Sequence, residues 1–385
     1  MYLKSFSKRT IVSAIAAFAT FTIAAPAISQ GASMDDQVAE YIKKFPKQDT
    51  YNYLVNLTDG DPAKLNVWVF GQEPALVKAG DDKVVRMNND TYYKMAFVQL
   101  EKGPVVLGSD NPSKDRFNSF QLMDDGNVNF HNVIHPDGKY VLYYGQKPAG
   151  IDGTPIEAPS KLAVVIVRVE VKDKDDKQDV AEAQATFNGI TISGPKIDTF
   201  PELDLLGGFD EKVAKEAEKQ MQDVASNTDF SKLVAGPGDV PGRVSELQLA
   251  AGTKFGWGGP VTTHSAYESF FSDADKKPMK GDNGTYTIST EAPPVDAFWS
   301  VTVYDTDRGG FLHPNKDDRY HINNTSAVAN EDGTYTFSFK TQCGAEDKNC
   351  LEVPGGQFDI AARYYLPREP ITSGKWRMPR PVLQK

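Results

Sequence analysis

From Asn66 to Ser193, short runs rich in β-branched and aromatic residues follow one another with only Gly, Pro, Asn and Asp clusters between them. They read VWVF (67–70), MAFVQL (95–100), VVLG (105–108), FNSFQLM (117–123), YVLYYG (140–145) and LAVVIVRVEV (162–171). No helical pattern of roughly 10–15 residues separates consecutive runs, so βαβ units are excluded and antiparallel sheets joined by turns are predicted. The last run is unbroken rather than alternating, which suits a strand buried on both faces at the centre of a sheet.

The last third repeats the pattern with AYESFF (266–271), GTYTIST (284–290), AFWSVTVYD (297–305), GTYTFSFK (333–340) and QFDIAARYYLP (357–367). In the first GTYT segment Thr285, Thr287 and Ser289 form a polar face opposite Tyr286, Ile288 and Thr290. In the second, Tyr335, Phe337 and Phe339 form an aromatic face, as in half-buried antiparallel strands. Helical spacing is confined to two stretches. Val38, Tyr41, Ile42 and Phe45 predict a short amphipathic helix over 35–45, and Phe209, Val213, Ala217, Met221 and Val224 predict a longer one over 209–226. Residues 172–185 read as a charged, solvated connector, and the Gly- and Pro-rich stretch 227–260 as a bridge. The expected fold is mainly β: two antiparallel, sandwich-like domains in series (34–200 and 261–385) with a helical Gly/Pro-rich bridge (201–260).

Residues 1–27 combine a cationic start (Lys4, Lys8, Arg9), an apolar stretch from Ile11 to Ala25 and an Ala25-Pro26-Ala27 cleavage site, the pattern of a secretory signal peptide. The apolar stretch is about 15 residues, short of the ~20 needed for a span, and no later run approaches that length. A periplasmic or secreted protein with no membrane span after cleavage is expected. Removing the three cations takes the formal charge from −10 to −13, which argues against nucleic acid as a partner. Cys343 and Cys350, downstream of the export signal, are expected to pair across the mouth of a hairpin in an oxidising compartment. No further Cys or His stands near them to complete a metal site.

Three segments, RMNNDTYY (86–93), KGPVV (102–106) and FNSFQLMD (117–124), resemble the first module of a tandem family whose modules are known as domains of unknown function 1254 and 1214. PPVDAFWSVTVYD (293–305), Gly310-Phe311-Leu312 to Arg319-Tyr320, and Arg363-Tyr364-Tyr365 to Lys375-Trp376 resemble the second. The resemblance spans nearly all of the chain beyond the signal and implies two β-rich domains in series, with no agreed reaction. NCLEVP (349–354) departs from the family's Asn-Trp-Leu-Pro-like run, placing Cys350 where a Trp usually stands.

Familiar catalytic patterns are missing. There is no Gly-x-Ser-x-Gly elbow and no His-Glu-x-x-His. His131 and His135 fall in a strand-like context, where four residues span about 13 Å and cannot share an ion; His264, His313 and His321 are isolated. The Gly-rich pieces 236–238 and 256–259 do not follow a strand and open a helix, so no nucleotide cofactor is implied. The unusual feature is RMNNDTYY. In an extended chain Arg86, Asn88, Asp90 and Tyr92 project to one face, a mixed row that is costly to bury unless paired, and so marks either a structural network or the wall of a ligand site. Trp299, Tyr304, Asp305, Arg319 and Tyr320 repeat the mixture in the second module. The leading reading is a small-molecule site for a polar or anionic ligand built from Arg86, Asn88, Asp90, Tyr92, Trp299 and Arg319. The competing readings are a hydrolase or lyase using Asp90 as general base, and a structural envelope protein.

Overall fold

The computed structural model describes residues 32–81, 86–237, 243–315 and 317–384; the signal segment 1–27 lies outside them. The chain is mainly β. In the first module β1 (Thr91–Gln99), β7 (Leu162–Glu170), β3 (Asn118–Asp124) and β4 (Asn129–Ile134) form one antiparallel sheet in that order. A second sheet runs β6 (Thr154–Ala158), β5 (Gly138–Tyr144), β2 (Val105–Ser109) and β8 (Ile190–Ser193). Alternate residues of the two sheets, among them Val98, Leu107, Phe120, Leu142, Val165 and Val167, meet in one core. The opposite face of the first sheet carries Phe97, Met123, Val164 and Ile166, covered by Leu54 and Trp257. With both faces covered, β7 is buried along almost its entire length, as its unbroken apolar run requires.

The second module pairs β12 (Phe311–Leu312), β11 (Trp299–Asp305), β16 (Phe358–Tyr365) and β9 (Ser265–Phe270), with β13 (His321–Asn323) also on β11. Its other sheet runs β15 (Cys350–Glu352), β14 (Tyr335–Lys340), β10 (Tyr286–Thr290) and β17 (Val382–Leu383). Trp299, Val301, Val303, Ile360 and Tyr364 meet Tyr286, Ile288, Phe337 and Phe339 between them. Burial alternates in β10 and β14 as expected, but β11 and β16 are buried at every position.

Several local expectations are corrected. The short N-terminal helix continues as α1 (Met34–Thr58) through Pro46, held at its start by a Ser33/Asp36 capping box. The charged connector contains α2 (Lys177–Asn188), N-capped by Asp176, with Ala183 and Phe187 turned into the sandwich core. The bridge contains not only α3 (Glu211–Asn227) but also α4 (Glu246–Gly256), opened by a Ser245/Gln248 capping box; both pack on α1 in a helical layer. VWVF is not a strand: only Phe70 makes an isolated bridge, to Met95. Cys343 and Cys350 are disulfide-bonded, but β15 runs parallel to β14 with Cys350 opposite Ser338, so the bond ties a loop back onto a parallel edge strand rather than closing a hairpin. A short helix, α5 (Glu369–Thr372), precedes the C-terminal strand.

Candidate functional site at the module junction

A strand with period-two alternation presents two faces. On β11 and β16 one face fills the second module's core, and the other offers Ser300, Thr302, Tyr304, Asp359, Arg363 and Tyr365. Antiparallel register sets Ser300 opposite Arg363 and Tyr304 opposite Asp359, so the polar groups lie side by side. Segment 86–90 of the first module lies on this surface.

The segment is not the extended row the sequence suggests. Arg86 is left-handed, with φ 51°, and β1 begins only at Thr91. From that bend the Arg86 guanidinium donates through Nε (3.2 Å) and Nη2 (2.9 Å) to the carboxylate of Asp359, which is fully buried and also accepts from Thr306 at 3.0 Å. Arg363 donates to the Arg86 carbonyl and to the Tyr304 hydroxyl, each at 2.7 Å, and to Thr302 at 3.1 Å. Tyr304 donates to the Met87 carbonyl at 2.7 Å. Asn88 donates to the Tyr365 hydroxyl and accepts from Thr91 at 2.9 Å. Asp90, fully buried, accepts from Ser300 and, at 3.3 Å, from Tyr365. Asn89 donates to the Val77 carbonyl and meets His321 Nδ1 at 3.0 Å.

Arg86, Asn88 and Asp90 are therefore brought together, but in a seam where their polar groups bond across the junction. Tyr92 and Trp299 are not part of it. The Tyr92 ring turns into the first sandwich core, 5.6 Å from Phe187. Trp299 packs edge-on to Tyr335 and Phe337 in the second core. Arg319, half-buried, sits in the loop before β13, where its backbone N–H donates to Asn315 Oδ1 at 2.9 Å. Asp305 accepts from the Arg308 N–H at 3.1 Å and faces His313 at 3.7 Å, and among the described residues no ion pair joins it to Arg319.

Beside the seam the modules leave a cleft of about 280 Å³, walled by Lys114, Asp115, Phe117, His135, Glu170 and Lys172 on one side and by Asp296, Ala297, Asn324 and Thr325 on the other. Glu170, 5% exposed, ends β7 and accepts from the Phe117 N–H at 2.9 Å through Oε2. No hydrogen bond reaches its Oε1 among the described residues. Burial pushes this carboxyl up to about 7, with neighbouring Asp90 adding to the rise and the Phe117 N–H, Lys172 and Arg116 opposing it. It is therefore able to exchange a proton near neutrality, whereas Asp90 is sealed in the seam by Ser300 and Tyr365. Phe298 stacks on Tyr365 at 4.0 Å beneath the cleft, with Phe117 edge-on to Phe298.

Sequence reasoning missed Glu170, Ser300, Asp359, Arg363 and Tyr365. The signal was present in the alternating polar positions of FWSVTVYD and FDIAARYY, and in the charges that interrupt VIVRVEV. Among the described residues no group of three His, Cys, Asp or Glu stands close enough to hold a metal ion, and no helix is long and apolar enough to cross a membrane.

Comparison with known proteins agrees with this architecture. The VPA0106 protein of Vibrio parahaemolyticus, a crystal structure, superposes with a TM-score of 0.72 at 20% identity, over 91% of this chain and all of that one. An uncharacterised protein of Burkholderia cenocepacia matches at a TM-score of 0.44 and 14% identity, over 91% and 95% of the two chains. No curated protein matches the sequence. Family models described as proteins of unknown function match in order: DUF1254 over residues 69–191, the sandwich whose sheet ends in Glu170, and DUF1214 over residues 264–369, which supplies the polar face of β11 and β16. The chain thus belongs to the tandem family built from these two modules.

Proposed function

We propose that the protein is exported and binds a small polar molecule in the cleft between its two modules. The observation that carries this reading is Glu170: a nearly buried carboxyl, pushed up to about 7, on the wall of a cavity of about 280 Å³, with no hydrogen bond to its Oε1 among the described residues. That volume lies just under the usual range of ligand pockets, and a lining in which only Phe117 and Ala297 are apolar suits a small hydrophilic molecule rather than an apolar one. Lys114 and Lys172 favour an anionic group on the ligand, and Asp115 and Asp296 a cationic one. Glu170, Asn324 and Thr325 suit its hydroxyl or amino donors, so short hydroxy acids and amino acids are the class to test first. The cationic start, apolar stretch and Ala-Pro-Ala site of residues 1–27 support export.

Thermal-shift and calorimetric screening of short hydroxy and amino acids against the wild type and Glu170→Gln tests the site. A ligand that stabilises the wild type and loses at least tenfold in affinity in Glu170→Gln is expected. A ligand that binds both proteins equally, or a panel with no binder, counts against the cleft. N-terminal sequencing of protein recovered from outside the cytoplasm tests export; a chain that still begins at Met1 refutes it.

A further inference from the structure

On the helix-facing side of the first sheet, Arg168 of β7 lies between Tyr93 on β1 and Ser119 on β3, directly opposite both in register, so the three side chains share one face. Arg168 is 4% exposed. Its Nη1 donates to the Gln121 side chain, its guanidinium lies 5.3 Å from the Tyr93 ring centroid, and the Tyr93 hydroxyl is a further hydrogen-bond partner. Among the described residues no carboxylate comes within ion-pair distance of it, and its Nε–H is buried without a hydrogen-bond partner. Two neighbouring polar atoms share that condition. Ser119 Oγ is buried and unpartnered, and so is Nε2 of His264, whose ring packs on Phe117, two residues before Ser119, at 5.5 Å. His264 Nδ1 is already engaged with Ser265 Oγ at 3.0 Å. Burial and the Arg168 charge hold this imidazole neutral, down to about 3, so it carries a single N–H, which stands on Nε2 when Nδ1 accepts from the Ser265 hydroxyl.

A buried guanidinium lacking a counter-charge is costly, and so is each buried donor left unmade. Three such atoms, from two modules, call for a hydrogen-bonding partner that the described residues do not supply. We propose that the junction holds a small carboxylate, formate- or acetate-sized, on the free Nε edge of Arg168, with Ser119 and His264 as the accompanying donors. A carboxylate matches this edge because guanidinium presents parallel N–H groups to two oxygens. Burial of all three atoms limits it to one or two carbons. This site is distinct from the Glu170 cleft and uses none of its lining residues.

Formate and acetate are the probes, titrated against equal concentrations of chloride at fixed pH and ionic strength, with thermal unfolding as the readout. Saturable stabilisation of the wild type by about 3–6 °C over chloride is expected, lost in Arg168→Met and unchanged in Glu170→Gln, which separates this site from the cleft. Equal melting temperatures in formate and chloride overturn the proposal. Should Arg168→Met fail to fold, a crystal structure of the wild type grown in formate decides: a planar, two-oxygen group within 3.2 Å of Arg168 Nε is the supporting result, and water alone or a protein acceptor there is the refuting one.

Discussion

Glu170→Gln isolates the linkage between proton binding and folding at the cleft. The carboxyl has an ordinary value of 4.5 and is pushed up to about 7 in the folded chain, chiefly by burial. The folded state therefore binds more protons than the unfolded state between these values, and wild-type stability falls as pH rises through that window. Carried from 4.5 to 7 at 1.36 kcal/mol per pH unit, the effect is about 3 kcal/mol, fully expressed above pH 7. Burial is nearly complete, so solvent screening removes little of it. Glutamine keeps the size and the acceptor for the Phe117 N–H but cannot ionise. The stability difference between Glu170→Gln and wild type should therefore move by about 3 kcal/mol in favour of the variant from pH 4.5 to pH 8. Urea unfolding of both proteins at half-unit pH steps measures it, and titrating groups that do not interact with Glu170 cancel in the difference. A difference that stays constant within about 0.5 kcal/mol across the range refutes the burial argument and, with it, the idea of a near-neutral carboxyl in the cleft.

Other perturbations test the seam and the loop tie. Tyr365→Phe removes the hydroxyl that donates to Asp90 and accepts from Asn88; leaving these buried groups short of partners should cost about 1–3 kcal/mol in urea unfolding at pH 7, and a neutral result would show that water replaces the phenol. Arg86→Met leaves the fully buried Asp359 without its ion-pair partner. With Arg86 itself partly hydrated, a loss of about 3 kcal/mol is expected, and Asp359→Asn in the same background should recover part of it. Converting both Cys343 and Cys350 to Ser opens a disulfide of sequence separation 7 and should cost about 2–3 kcal/mol by the chain-entropy argument, read as a lower melting temperature with ligand affinity unchanged.

The sheets were legible because their strands declare themselves through composition: β7 through its unbroken valines, and β10 and β14 through alternation. The helices were less so. α2 and α4 are short, and their stripes sit among charges or glycines, so local patterning undersold what packing on α1 and the sandwich supplies. The Ser245/Gln248 capping box was a readable signal for α4. The RMNNDTYY row drew attention to the correct segment but the wrong geometry. A single left-handed residue, Arg86, breaks the period-two rule on which the shared face rested, and nothing in the local sequence announces that bend. Its partners lie more than 200 residues away on β11 and β16, beyond the reach of any local pattern. Glu170 was hidden for a related reason: at the end of a buried strand a glutamate reads as a solvated terminus until a second module is laid over it.

The seam joins residues 86–90 to strands more than two hundred positions downstream, so each half contributes buried charges that find partners on the other. Exchanging one module for its counterpart from a distant relative would strand Asp359 and Asp90 in a dry boundary unless the bend at Arg86 and the matching faces of β11 and β16 travelled together. The two halves are therefore bound to change in step, and the natural unit of recombination is the whole pair.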